Sequence, residues 1–187
     1  MRRGVDKLRF VPDGAPISFT LETLVRDGLL GPFRLGLSKK EIARDVFAPD
    51  PSPPSASAEE AVTWIYGEIE LNFEPDQRLG LIIVKSGRDR RRTPAAPLDW
   101  WVLKDLPSLS DAKTALDAHE VRYAWLRNAM LDIEYLKIDN SGTVLSFHGS
   151  GEYAGQEAYR FSGISNALPD SQLYTFHGAT AVLDTAP

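Results

Sequence analysis

A chain of 187 residues and 20.7 kDa, 43% hydrophobic and 25% charged, has the profile of an ordinary water-soluble globular protein. At this length folding buries about 70% of the surface that the unfolded chain exposes, so neither a metal nor a disulfide staple is needed. The net charge of −5 and pI near 5.2 argue against a nucleic-acid or anionic-membrane binder and suit a basic partner, and the lack of cysteine excludes thiol catalysis, disulfides, Cys-bound zinc and iron–sulfur clusters.

Near the start, Arg2, Arg3, Lys7 and Arg9 are not followed by the apolar run of a signal peptide. No stretch approaches the roughly 20 apolar residues that span a bilayer, since the densest, residues 79–84, stops at Lys85. The expected location is cytoplasmic. Residues 8–11, the Pro12-Asp13-Gly14 turn and residues 17–21 predict a leading hairpin. Ser38-Lys39-Lys40-Glu41 is a capping-box pattern that predicts a short helix, with Ile42, Ala43, Val46 and Phe47 forming a buried stripe and Lys39, Lys40 and Arg44 left to water. Four prolines between Pro49 and Ser57 predict an exposed loop.

Residues 65–84 read as a hairpin. Ile69, Leu71 and Phe73 alternate with Glu68, Glu70, Asn72 and Glu74, Pro75-Asp76-Gln77 supplies a turn, and the apolar run 79–84 predicts a central strand covered on both faces. Residues 88–97, rich in Arg and Pro, mark a boundary between units 1–97 and 98–187. The second unit repeats the order. Ser108-Leu109-Ser110-Asp111 starts a helix; Val121, Tyr123 and Trp125 alternate as a strand; residues 131–138 form another; and Asp139-Asn140-Ser141-Gly142 turns into residues 143–148. Residues 158–162 and 173–176 predict trailing strands. Ile133-Glu134-Tyr135 echoes Ile69-Glu70-Leu71, which points to duplication of a helix-plus-hairpin unit within one chain. The expected class is α+β: antiparallel sheet with a few short helices packed on one face.

Neither G-x-x-x-x-G-K-[ST] nor G-x-G-x-x-G occurs, and His148-Gly149-Ser150-Gly151 lacks the G-x-S-x-G elbow that would make it an oxyanion loop. His119, His148 and His177 are too far apart for a helical metal pair, and Asp139-Asn140-Ser141-Gly142 lacks the distal Glu of a calcium loop. No metal and no cofactor are expected. Arg88, Arg90, Arg91 and Arg92 read as a solvated linker or as a contact for an acidic partner. On a strand, Glu68, Glu70 and Glu74 would share a face with Asn72, either as the wet face of a sheet or as an anionic strip that steers a cationic partner. Adjacent Trp100 and Trp101 would point to opposite faces of a strand, both buried or one exposed as an interface anchor. Trp64 with Tyr66 and Tyr123 with Trp125 read as packing pairs.

The stretch Leu30-Gly31-Pro32-Phe33-Arg34-Leu35-Gly36-Leu37-Ser38-Lys39-Lys40-Glu41-Ile42, followed by Ile65-Tyr66-Gly67-Glu68-Ile69-Glu70-Leu71-Asn72-Phe73, resembles a bacterial immunity-protein-like family with tandem helix-plus-antiparallel-sheet repeats. The layout is also similar to that of β-lactamase inhibitory proteins. About half the chain carries the resemblance. The long proline loop after Ala48 and the segment after Gly151 depart from it. It implies a non-catalytic cytoplasmic protein that occludes the active site of a bacterial toxin, with a basic nuclease or deaminase domain as partner and no catalytic residues. Partner contacts are then expected at Glu68, Glu70, Glu74, Trp100 and Trp101. The alternatives are a small hydrolase-like enzyme using a carboxylate with His148 or His177, separable by a pocket joining the two, and a structural adaptor paired through its sheet edge.

Overall fold

The computed structural model describes residues 8–10, 17–52, 56–85, 98–105, 107–149, 159–167 and 180–181. In chain order these form β1 (Phe19–Thr20), α1 (Leu21–Asp27), β2 (Leu29–Leu30), β3 (Phe33–Arg34), α2 (Lys39–Ala43), β4 (Asp50–Ser52), β5 (Thr63–Tyr66), β6 (Ile69–Phe73), β7 (Leu79–Lys85) and β8 (Leu98–Asp99). A 3-10 turn (Trp101–Leu103), α3 (Leu109–Ala118), β9 (Tyr123–Asn128), β10 (Ile133–Ile138), β11 (Val144–His148), β12 (Arg160–Ala167) and β13 (Thr180–Ala181) follow. Nine strands make one sheet in the order β13-β9-β10-β11-β12-β7-β6-β5-β4, every pair antiparallel. The class is α+β, as expected.

Each long meander, β4 to β7 and β9 to β12, follows a helix, and the two join through their last strands, β7 against β12. The side-chain period of two then aligns one continuous apolar row across seven strands: Trp125, Leu136, Leu145, Ile164, Val84, Ile69 and Tyr66 are successive cross-strand partners. Leu21, Leu24 and Val25 of α1, Ile42 and Ala43 of α2, and Leu109, Ala112 and Leu116 of α3 are buried in the same cluster as this row. All three helices therefore cover one face. The opposite face carries the row Ile65, Glu70, Ile83, Ser165, Val144, Lys137 and Ala124.

Both capping boxes form. The Ser38 hydroxyl accepts from the Glu41 amide and the Glu41 carboxylate accepts from that of Ser38; Ser108 and Asp111 do the same for α3. The central strand β7 has Leu79, Leu81, Ile82 and Val84 buried, as its composition predicted. Its pairing with β6 slips by one residue at Gly80, because Phe73 faces Leu79 while Asn72 faces Leu81. Glycine lets the Glu74 side chain lie against that bulge: a Cβ there would come within 2.5 Å of a Glu74 carboxylate oxygen and push it aside.

Several sequence expectations are corrected. Ile65 to Phe73 is two strands, not one, because Gly67 takes φ +62° and opens a two-residue hairpin turn, Gly67-Glu68. The start of the proline loop is paired: β4 holds Pro51 opposite Trp64 at the sheet's edge, where a missing donor costs no ladder bond. Leu21 does not end a leading hairpin but begins α1, capped by the Thr20 hydroxyl, which accepts from the Glu22 amide. The C-terminus of α1 is capped from far along the chain, since Ser141 Oγ donates to Val25 O at 2.6 Å and Thr143 Oγ1 to Leu24 O at 2.8 Å. β1 pairs in parallel with β8. The leading turn, the boundary at residues 88–97 and the trailing strand at 173–176 lie outside the described residues.

Lys39 is the sharpest correction. Expected in water, it is 3% exposed, and its Nζ donates to Glu59 O at 2.9 Å and Ala61 O at 2.7 Å, facing the rings of Phe73 and Trp64. Two carbonyl acceptors and two aromatic faces replace the ammonium's hydration. Burial lowers its pKa, against a smaller opposing pull from Glu59.

Candidate functional site

The three glutamates do not form a stripe. Glu68 sits in the Gly67-Glu68 turn, where its carbonyl accepts from the Lys85 amide. Glu70 lies on the face away from the helices, 2.6 Å from the Lys85 ammonium, so its charge is locally matched. Glu74 lies beyond the end of β6, its carboxylate against Gly80. The two-residue turn takes Glu68 out of the alternation, and Glu74 lies past the last residue of β6, beside the bulge at Gly80 of β7.

The tryptophans are not opposite faces of one strand either. Strand β8 ends at Asp99, whose carboxylate accepts from the Trp101 amide and turns the chain into the 3-10 segment, with Trp101 at φ +50°. Both rings are half-buried against the core. Trp100 meets Phe161 edge-on at 6.3 Å, and Trp101 meets His119 at 5.0 Å. The Arg26 guanidinium lies over Trp101 at 5.4 Å while bonding Glu22 Oε1 and the His119 carbonyl. Beside this shelf is a cleft of about 300 Å³, lined by Arg26, Asp27, Glu120, Val121, Arg122, Ile138 and Asn140. Two arginines and two acidic residues line it, and no histidine does so among the described residues.

A second cluster of titratable groups, not foreseen from sequence, lies on β9 and β10. Glu134, its side chain 5% exposed, accepts from Trp125 Nε1 at 2.7 Å and from Arg127 Nε at 3.2 Å. The Lys113 ammonium sits 4.1 Å from the centre of the Trp125 ring. Asp132 accepts from the Tyr159 hydroxyl, and this bond, with burial, raises the Tyr159 pKa. The Glu134 pKa is also raised, chiefly by loss of water, although the Trp125 bond and the charge of Arg127 pull it down. Both Glu134 oxygens are occupied by neighbours. The signal for this cluster was cross-strand register, which places Arg127 opposite Glu134, and register was not readable from the residues alone.

A carboxyl with a raised folded pKa favours the native state below its unfolded pKa, and the advantage fades as pH rises through the folded value. Glu134→Gln retains a neutral acceptor for Trp125 without the titration. We expect the Gln variant to gain stability relative to wild type as pH rises through and above the ordinary Glu range, measured as urea midpoints from about pH 4 to 7. A constant difference would show that Glu134 does not titrate with folding.

His148 does not meet this carboxylate. Phe147 is the cross-strand partner of Glu134, so His148, the next residue of β11, projects from the opposite face of the sheet. His119 ends α3, and His177 lies outside the described residues. Among the described residues no group of three or more His, Asp or Glu is placed to hold a metal ion, and no helix is long and apolar enough to cross a membrane. No protein-family model, no curated protein and no solved structure matches the chain.

Proposed function

We propose that this is a non-catalytic protein-binding protein of the immunity type, acting in the cytoplasm, which neutralises a basic bacterial toxin domain, such as a nuclease or deaminase, by covering its active site. The observation that carries the reading is the shelf of Trp100 and Trp101 with Arg26 stacked on it, beside a charge-lined cleft that Arg26 also lines. Trp and Arg are the side chains that most often dominate binding energy, and here they are half-buried and held in place by Phe161, His119 and Glu22. The net charge of −5 favours encounter with a cationic domain, although the pairing of Glu70 with Lys85 moves that attraction from a single strip to the molecule as a whole. His148 and Glu134 project from opposite faces of the sheet, so this pair does not supply the acid–base couple of a hydrolase.

The test is co-expression with candidate basic toxin domains, beginning with any encoded by a neighbouring gene. Growth should be restored and a one-to-one complex recovered, and Trp101→Ala should weaken that complex at least tenfold. Undiminished toxicity with no complex would overturn the proposal.

A further inference from the structure

The hairpin joining β9 to β10 turns on Asn128-Ala129-Met130-Leu131-Asp132. Its tip is three consecutive exposed apolar residues, with Met130 93% and Leu131 59% exposed. Turns ordinarily use Gly, Asn, Asp, Pro or Ser, and an exposed apolar run in one has no folding rationale. Nor is this tip a loose end. The buried Asn128 side-chain oxygen accepts from the amides of both Met130 and Leu131, each at 3.1 Å. Asp132, in the left-handed region at φ +51°, is fixed by the Tyr159 hydroxyl on its carboxylate and by the Gly149 amide on its carbonyl. Gly149 has no room for a Cβ beside that carboxylate. Asn128, Asp132, Tyr159 and Gly149 thus hold two apolar side chains outward on a backbone that has already lost its freedom.

We infer that Met130 and Leu131 are a pre-ordered anchor that inserts into an apolar pocket of the partner protein, a pocket with carboxylate on its rim. Ordering the turn beforehand removes a cost that binding would otherwise carry, and a thioether adapts to irregular pockets. The rim chemistry follows from charge. Arg127, the residue just before the turn, keeps half of its side chain exposed while its Nε pairs with the buried Glu134, Lys113 lies over Trp125, and Asp132 accepts from Tyr159. A lipid surface fits less well: two side chains bury too little for stable anchoring, and the molecule is net anionic. The inference rests on the protein-binding reading above and adds a contact about 20 Å from the Trp101 cleft, at the other end of the β9–β10 hairpin.

Met130 is the only methionine besides Met1, so its oxidation by peroxide reports on this turn alone. With the neighbouring toxin domain as probe, Met130 should be oxidised rapidly in the free protein and at least tenfold more slowly in the complex. Met130→Ser with Leu131→Ser should weaken binding at least 30-fold at unchanged melting temperature. Val62→Ser, at a 62% exposed apolar residue elsewhere, should bind as wild type, and Met130→Leu should retain most of the affinity. Wild-type binding with an unprotected Met130 and an unaffected double variant would overturn this inference and leave the proposed function standing. Absence of wild-type binding would overturn both. The anchor would likewise be wrong if the wild type, but not the double variant, bound vesicles of phosphatidylcholine with phosphatidylglycerol, or dimerised without the toxin.

Discussion

Lys39→Met should lower the free energy of unfolding by about 2–4 kcal/mol at neutral pH, measured by urea denaturation. The loss does not come from packing, because Met matches the lysine stem in length and suits the space between Phe73 and Trp64. It comes from the carbonyls of Glu59 and Ala61, which lose their shared donor in a site with little access to water. A pH signature accompanies it. Because burial lowers the Lys39 pKa, the unfolded chain holds that proton more tightly, so the stabilisation is complete above the ordinary lysine range and declines as pH falls through the lowered value. The gap between wild type and Lys39→Met should therefore widen from neutral to alkaline pH. A variant as stable as wild type at both would show that the ammonium contributes nothing net.

Trp64→Ala should cost more, about 3–5 kcal/mol, and lower the melting temperature by roughly 10 °C, read by differential scanning calorimetry. The indole is fully buried, packs edge-on against Phe73 at 4.8 Å and tilted against Phe10 at 5.5 Å, and its Nε1 donates to Ala58 O at 2.8 Å. It therefore fastens the same loop as Lys39, one residue through Ala58 and the other through Glu59 and Ala61. Their effects should not add: once the loop has been released by one change, the second has less to remove. A loss below about 1 kcal/mol would mean that the site refills after truncation.

Local chemistry was the legible part of this fold. The capping boxes at Ser38 and Ser108, the apolar run of β7 and the Asp139-Asn140-Ser141-Gly142 turn all state their roles within a few residues, and each stands where the pattern put it. What escaped depended on distant partners. The periodicity that puts Lys39 on the wet side of a helix cannot register two carbonyls arriving some 20 residues later. Alternation from Ile65 to Phe73 runs straight through Gly67, and the turn there takes Glu68 out of the acidic stripe. Helix α1 carries local signals, the Thr20 cap, Glu22, Arg26 and a left-handed Gly28, which reading residues 17–21 as a strand overlooks. Only the hydroxyls that reach its end from more than 100 residues away lie beyond the local sequence. Of the expected partner contacts, Trp100 and Trp101 lie together on one shelf with Arg26. Glu68, Glu70 and Glu74 are divided among a turn, an ion pair and a bulge.

The seam between β7 and β12 has a consequence for how this chain is made. During synthesis the first meander leaves the ribosome well before its completing strand has been translated. Throughout that interval β7 offers an unpaired ladder edge flanked by apolar side chains, ready to zip onto the same edge of another nascent chain. Messages truncated before residue 160 should therefore yield sticky fragments that need chaperoning or disposal, and codon changes that slow translation across the second half should lower yield without altering a single contact in the finished molecule.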